Sequence, residues 1–185
     1  NGANTIQMGV VKDDIDSITK LLETALLTSD IVVTTGGVSV GDYDFVQDVI
    51  KDKLKAEVLF HGVNLKPGMH ILLALKDNKI IVALPGFAYS STVCAMLYVL
   101  PLIYKFRNSN EKLPLVKARI NQDFSRFQAK TIFTACNVEY KNGEYQINFD
   151  GKKSGTSAIL TNMLESPALL IQKENSKNIK AGDLV

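Results

Sequence analysis

Apolar residues along the first 106 positions follow two spacings in turn, one typical of helices and one typical of strands. Residues 14–27 carry them at intervals of three and four, which predicts an amphipathic helix with Asp13 or Asp14 as its N-cap. Residues 31–34 form a continuous β-branched run, as in a strand that is buried on both faces. Helical spacing returns at residues 45–54.

Further strands and one long apolar segment extend this alternation. Residues 57–60, 70–75 and 79–84 are predicted strands, and residues 8–11 are a shorter one. Residues 88–106 begin with small and polar side chains and contain Pro101, so we expect a buried core helix rather than a membrane span. The alternation predicts an α/β protein with a largely parallel sheet.

The pattern changes after Phe106. Residues 107–114 are polar and charged, as in a linker, and short alternating or β-branched runs follow them. Asn142 and Gly143 form a strong hairpin signal between two of these runs. We therefore predict an α/β domain over residues 1–107 and a small β-barrel-like domain over residues 114–185.

Charge and composition narrow the function classes. Lys and Arg number 21 against 19 Asp and Glu, so a net charge of +2 gives no general electrostatic case for nucleic acid or an anionic membrane. Two cysteines without a CxxC pattern and two histidines argue against a disulfide framework and a zinc site. No signal peptide is visible, and we expect a cytoplasmic protein.

The most informative stretch is TTGGVSVGDYD at residues 34–44. Glycines between a buried strand and a helix let the backbone approach a ligand, and the helix N-terminus favours an anion. Asp42 and Asp44 would repel a bare phosphate, and a divalent cation between them and the ligand would resolve that conflict. The alternative is that Asp42 only caps the helix and the glycines only make a tight turn.

Two further loops follow predicted strands. One contains Lys66, Pro67 and Gly68, a single cation in a stiffened turn that by itself is more often solvated. The other contains Pro85 and Gly86, and it precedes a helix whose first turn holds Ser90 and Ser91, which are either ligand contacts or plain N-caps. If all three loops end parallel strands, they lie at one sheet edge and build a single anion-binding cleft. His61, His70 and Cys94 are interpreted as structural.

The run SDIVVTTGGVSVGDYDFVQDVI at residues 29–50 closely resembles the molybdenum insertase family, which includes bacterial MoeA and the E domain of gephyrin. Matches to that family continue in order along nearly the whole chain. They are GVVKDD at residues 9–14, LKPG at 65–68, LPG at 84–86, SGTSAILTNMLESPALLI at 154–171 and KAGDLV at 180–185. Related proteins such as MogA share a shorter version of the glycine segment.

The resemblance implies a MogA-like three-layer fold and a defined chemistry. Members of the family convert adenylylated molybdopterin and molybdate to molybdenum cofactor and AMP, assisted by a divalent cation such as Mg²⁺. The implied catalytic residues are Asp42, Asp44 and Lys66, with Asp14 and Asp42 near the metal. The implied substrate-binding residues are Thr35, Gly36, Gly37, Ser39, Gly41, Pro67, Gly68, Pro85, Gly86, Ser90 and Ser157.

Three features depart from the family pattern. This chain has LPGFAYSS at residues 84–91 where LPGNPVSA is common, so an amide and a rigid turn are missing. In the second domain, where the family usually supplies arginines, Ile159 replaces a common arginine; Arg126 and Lys130 lie nearby, and Thr156 and Ser157 remain as molybdate candidates. The N-terminal half of the family is absent, so we expect a fragment of a longer protein.

Three functions are compatible with these residues, in this order of preference. The first is molybdate insertion, and the second is molybdopterin adenylylation, which the downstream β domain disfavours. The third is a non-catalytic binding or scaffolding module, which would leave Asp42, Asp44 and Lys66 unexplained. By resemblance, the intact protein is expected to be a homodimer.

Overall fold

The computed structural model describes residues 2–38, 45–125, 129–153, 157–164, 167–176 and 178–185. The chain divides into two compact units. The first unit comprises Asn1–Val63 and Gly68–Lys112, and the second comprises Asn64–Pro67 and Leu113–Val185. The second unit therefore includes a short segment, Asn64–Pro67, that the sequence assigned to the first domain.

The first unit contains both helices and strands, and strands dominate the second. The helices are α1 (Ile15–Thr28), α2 (Phe45–Asp48, continued as a π-helix at Val49–Lys53), α3 (Ala88–Cys94) and α4 (Leu100–Phe106), with a π-helical stretch at Ala95–Val99 between the last two. The strands are β1 (Ile31–Thr35), β2 (Glu57–His61), β3 (Leu65–Lys66), β4 (Leu72–Lys76), β5 (Lys79–Leu84), β6 (Ala118–Ile120), β7 (Thr131–Lys141), β8 (Glu144–Asn148) and β9 (Pro167–Gln172).

The sheet of the first unit has the strand order β1-β5-β4-β2. β1 and β5 are parallel and finish together, with Thr35 beside Leu84. β4 pairs antiparallel with both β5 and β2. The two-residue turn Asp77-Asn78, where both residues have positive φ, reverses the chain between β4 and β5 and makes that pair a hairpin. The parallel arrangement thus applies to the strand pair that carries the glycine turns.

Helices cover both faces of this sheet, which confirms the predicted α/β class with three layers. Alternate residues of β5 point to opposite faces of the sheet. Because helices cover both faces, the second half of the strand is buried throughout. On one face, Ile81 and Ala83 pack with residues of α1 and of the helix that begins at Phe45. On the other face, Val82 and Leu84 pack with Cys94 of α3.

The helix over Ala88–Phe106 is buried only in its first turns. Its buried residues, which are Tyr89, Ser90, Val93 and Cys94, all lie in α3. Tyr98 and Leu102 pack against the sheet, while the remaining surface is half-exposed. By length and composition it is, among the described residues, the one helix long and apolar enough to cross a membrane. The prediction of a buried core helix therefore holds for its N-terminal half.

The predicted strand at residues 8–11 is wrong. Residues 2–12 form no helix or strand, and Val10 is fully exposed. Gly9 has a φ of 86°, a left-handed conformation that interrupts extended backbone. An apolar run becomes a strand only where a neighbouring strand satisfies its backbone groups, and none is paired with it here.

In the second unit, β7 is the central strand. It pairs antiparallel with β8 and β9 and parallel with β3, while β6 pairs parallel with β8. Asn142 and Gly143 both have positive φ and join β7 to β8, which confirms the predicted hairpin. The core of the unit includes Ile120, Cys136 and Leu170.

Candidate functional site

The paired carboxyl ends of β1 and β5 form the centre of the candidate site. The backbone N–H of Gly36 donates to the carbonyl oxygen of Leu84 at 3.0 Å, which extends the parallel ladder by one residue. Beyond that hydrogen bond, β1 and β5 each continue into a glycine turn. A Cβ on Gly86 would lie 3.4 Å from the Cα of Gly36, so the backbones of the turns are in contact without an intervening side chain.

The two glycines of the first turn have different surroundings. A Cβ on Gly37 would lie 2.5 Å from Cγ2 of Val46, so a glycine is needed there for the following helix to pack closely. A Cβ on Gly36 would meet no atom within 4 Å. Both residues have positive φ, at 89° and 69°. Gly37 therefore serves packing, whereas Gly36 presents bare backbone to open space, where a ligand can approach closely.

Part of the predicted glycine loop lies outside the described residues. Ser39, Gly41, Asp42 and Asp44 fall in the segment 39–44. Thr35, which immediately precedes Gly36, is exposed at the sheet edge. Thr34 has its hydroxyl oxygen buried without a hydrogen-bond partner, one position before the exposed end of the strand.

The turn after β5 carries an exposed ring that the sequence did not single out. Phe87 is 61% exposed and is the N-cap residue of α3. Pro85 is buried and Gly86 is exposed. The only sequence signal for this position was its departure from a family pattern, which did not say where the ring would lie.

The serines after this turn are not N-caps. Ser90 is 4% exposed, so its hydroxyl lies beneath the surface and has little access to a ligand. Ser91 donates its hydroxyl to the carbonyl oxygen of Phe87 at 3.1 Å, and that bond lies within the helix. The helix begins without a side-chain cap. Ser90 as a direct ligand contact therefore remains a proposal that needs a local rearrangement.

The loop of Lys66, Pro67 and Gly68 does not end a strand of the first sheet. Lys66 lies in β3, whose backbone pairs with Thr131 and Ile132 of β7 in the second unit. The expectation of three loops at one edge is correct for the turns after β1 and β5 and wrong for this one. The reason is that Leu65 and Lys66 complete the hydrogen-bond ladder of β7, not that of β2 or β4.

Gly68 returns to the first unit and contacts Cys94 of α3. The Cys94 thiol donates to the carbonyl oxygen of Gly68 at 3.5 Å, and a Cβ on Gly68 would collide with its Sγ. Burial raises the pKa of the Cys94 thiol to about 12, so it is a neutral hydrogen-bond donor at physiological pH. Cys94 is therefore in the core, as predicted, and it fixes the end of this loop.

Asp14 is the N-cap of α1, the second of the two candidates, Asp13 and Asp14, that the sequence predicted. Its Oδ1 accepts the backbone N–H of Ser17 at 2.8 Å, and that bond holds the pKa of the carboxyl below its usual value. Among the described residues, no three acidic, histidine or cysteine side chains gather as a metal site. A divalent cation would therefore depend on Asp42, which the structure does not describe.

His61 contacts the glycine turn from β2. Its Nε2 lies 3.3 Å from the carbonyl oxygen of Val38, so the Nε2–H tautomer donates a hydrogen bond there. This contact fits the structural role predicted for His61. It also links the edge strand of the sheet to the described end of the glycine loop.

In the second unit, the buried side chain of Asn162 binds the backbone of Lys153, which precedes the molybdate candidates Thr156 and Ser157 in the sequence. Asn162 is 1% exposed, and its side chain accepts from the N–H of Lys153 at 2.9 Å and donates to the carbonyl of Lys153 at 2.8 Å. Ser157 is half-buried, and Ile159 has extended backbone just before a short 3₁₀ helix, Leu160–Met163. Thr156 and Arg126 lie outside the described residues.

These features define a class: a three-layer α/β protein with paired glycine turns where two parallel strands end, followed by a β-rich unit. A family profile described as "Probable molybdopterin binding domain" matches residues 1–105. The chain therefore belongs to that family, and the resemblance inferred from its motifs is confirmed.

Curated relatives extend the similarity beyond the first unit. A molybdopterin molybdenumtransferase of Staphylococcus aureus is 31% identical over 176 residues, which cover 94% of this chain and 41% of that protein. The corresponding protein of Staphylococcus epidermidis is 30% identical over 185 residues, covering 97% of this chain and 43% of its own length. The chain thus spans less than half the length of the curated relatives it matches.

Solved structures show the same fold. A molybdopterin biosynthesis MoeA protein from Pyrococcus horikoshii has 26% identity and a TM-score of 0.68, with 96% of this chain and 39% of that chain covered. A second structure of MoeA from Pyrococcus horikoshii has 24% identity and a TM-score of 0.73, covering 96% of this chain and 41% of that chain. The architecture of both units therefore has solved counterparts.

Proposed function

We propose that this chain is part of a molybdenum insertase, which binds adenylylated molybdopterin and inserts molybdate with release of AMP. The relatives named molybdopterin molybdenumtransferase support this role within molybdenum cofactor biosynthesis. The observation that carries it is the contact between two glycine turns, after β1 and β5, at one edge of the sheet.

The paired turns suit the anionic part of such a ligand. Gly36 has no side chain and has open space beside it. A pyrophosphate group can therefore come closer to the backbone of Gly36 than it could to a residue with a side chain. The helix that starts at Ala88 has its N-terminus at the same edge, where its dipole favours negative charge. Thr35, Gly37, Pro85 and Gly86 complete the proposed backbone cradle, with Ser39 and Gly41 in the continuing loop.

Cleavage of the phosphoanhydride needs compensation for developing negative charge. Lys66 is exposed and presents an ammonium group with three donors, which suits molybdate or a terminal phosphate. Asp44 and Asp42 are proposed to orient the nucleotide and to hold a divalent cation such as Mg²⁺, with Asp14 nearby. Such an ion would neutralise phosphate charge when bound. Pro67 and Gly68 follow the lysine in its loop, and Ser157 is proposed to contact molybdate.

Isothermal titration with molybdopterin and its adenylylated form tests this proposal. Gly36→Ala and Gly143→Ala make a matched pair, because both glycines have positive φ and neither Cβ would meet an atom within 4 Å. If the turns form the cradle, Gly36→Ala, Asp44→Ala and Lys66→Ala weaken binding and Gly143→Ala does not. Equal binding by all four variants would contradict it.

The rival functions have distinct signatures in the same samples. An adenylyltransferase would form adenylylated molybdopterin from molybdopterin and ATP, whereas an insertase consumes that product and releases AMP when molybdate is added. A scaffolding module would do neither. The intact protein is further proposed to be cytoplasmic and to form a homodimer. Sedimentation of the full-length protein tests the homodimer.

A further inference from the structure

Phe87 exposes an aromatic ring directly beside the two glycine turns. We infer that this ring stacks on the planar heterocycle of the bound ligand and thereby favours heterocyclic ligands over inorganic anions. The inference rests on the proposed function, because it assigns a residue to the ligand of that site. Phe87 follows Gly86, whose backbone contacts Gly36, so the ring is attached one residue from the junction of the turns.

The exposure of Phe87 runs against the local packing. Of the four residues that follow Gly86, Tyr89 and Ser90 are 5% and 4% exposed, whereas Phe87 is 61% exposed. A serine is thus buried while the most apolar side chain of the turn faces outward. Tyr89, two positions further on, is buried in the core, whereas the Phe87 ring stays outside it. The ring therefore leaves an apolar surface that a bound ligand would cover.

The glycine backbone and the Phe87 ring suit different parts of a ligand. Bare glycine backbone suits an anion, but it cannot recognise the flat part of a nucleotide or pterin. An aromatic ring stacks on any nitrogen heterocycle because each has a π-face, and it tolerates differences in ring substituents. Adenine and pterin share this chemistry, and the two are separated by experiment.

Tryptophan fluorescence gives a direct test, because the chain contains no tryptophan. Phe87→Trp places a single reporter at the proposed stacking position. Phe106→Trp is the matched control, since Phe106 is also an exposed phenylalanine, 46% exposed, at the other end of the same helical run. Nineteen helical steps separate the two positions by roughly 28 Å.

The ligands are molybdopterin, AMP and inorganic pyrophosphate. We expect molybdopterin or AMP to quench Phe87→Trp and to leave Phe106→Trp unchanged, while pyrophosphate quenches neither. Quenching by only one of the two heterocycles identifies which one stacks. Quenching of both variants to the same extent, or of Phe87→Trp by pyrophosphate alone, would overturn the inference.

The ligand affinities of two variants without tryptophan give a second, independent measurement. Phe87→Leu keeps an apolar side chain without a π-face, and Phe87→Tyr keeps the ring. We expect the leucine variant to bind the stacking ligand about tenfold more weakly than wild type, pyrophosphate binding to be unchanged, and the tyrosine variant to restore affinity.

The two proposals fail in different ways. If wild type binds the ligand and Phe87→Leu binds it equally well, stacking is refuted and the glycine site stands. If folded wild type, within the full-length protein, binds none of the three ligands, the proposed function is refuted and the assignment of Phe87 fails with it.

Discussion

The thiol of Cys94 donates to the carbonyl oxygen of Gly68 at 3.5 Å, and the same sulfur occupies the space that a side chain on Gly68 would need. Gly68 also has a φ of 108°, which L side chains rarely adopt. Packing and backbone conformation thus both require glycine at this position, two residues after Lys66, and its carbonyl accepts the thiol hydrogen bond.

We expect Gly68→Ala to lower the free energy of unfolding by about 2 to 4 kcal/mol, from a steric clash combined with positive-φ strain. Adding Cys94→Ala should recover part of this loss, because it removes the clash but not the strain. Urea denaturation measures both. Gly143→Ala is the control, since it has positive φ but an open surrounding, and a loss there equal to that of Gly68→Ala would refute the clash.

Asp14→Ala should destabilise the protein in a pH-dependent way. The N–H of Ser17 favours the ionised carboxyl, so the pKa of Asp14 in the folded protein lies below its usual value. A lowered pKa contributes stability above the unfolded value, and this is lost as pH falls through the folded value. Wild type and Asp14→Ala should therefore differ in urea midpoint at pH 7 and converge at pH 2. Asp13→Ala is the control because it removes an exposed carboxylate. Its urea midpoint should not differ from that of wild type in a way that disappears at pH 2.

Asp14→Asn separates capping from metal binding. Asparagine is as good an N-cap as aspartate, so the stability at pH 7 should be retained. If Asp14 helps to hold a divalent cation, the variant should lose part of the magnesium dependence of ligand binding in calorimetry. An unchanged magnesium dependence would assign Asp14 to helix capping alone.

Both cysteines should be unreactive in the folded protein. Burial raises the pKa of Cys94 to about 12 and that of Cys136 to about 11, so neither is a thiolate near neutral pH. A thiol reagent at pH 8 should label no cysteine in native protein and two in denaturant. Because a raised pKa favours the neutral form on folding, stability should fall as pH rises above 9. Rapid native labelling at either site would contradict this.

Asn162→Ala should destabilise the second unit, because it leaves the N–H and carbonyl of Lys153 without their partner. The expected loss is about 2 kcal/mol, typical of buried unsatisfied groups. Asn162→Asp keeps the acceptor and removes the donor, so it tests the two bonds separately. Thermal unfolding measures the effect, and a midpoint unchanged in both variants would show that the pair contributes nothing.

Apart from the strand at residues 8–11, the sequence predicted the elements of the first unit because their patterns are local. The β-branched run of β1 and the helical spacing of α1, with Asp14 as cap, identify themselves within a few residues. The placement of Lys66 was not predictable in this way. Two residues that pair with β7, which begins at Thr131, carry no local sign of that partner.

The exposure of Phe87 and the burial of Ser90 were also not predictable. Hydrophobicity alone suggests the reverse, since it assigns the ring to the core and the hydroxyl to the surface. Which side of a turn faces outward depends on how the following helix seats on the sheet, and that is set by contacts distant in sequence. For Asp42 and Asp44 the sequence prediction stands untested by the described residues.

The assignment of Asn64–Pro67 to the second unit means that the chain crosses between units three times, after Val63, after Pro67 and after Lys112. No single cut in the polypeptide can therefore yield two intact modules. A protein expressed from Leu113 onward would lack β3 and leave one end of β7 unpaired on that side. Any attempt to express or engineer one unit must therefore include residues from both sides of the other, even though each unit has its own core.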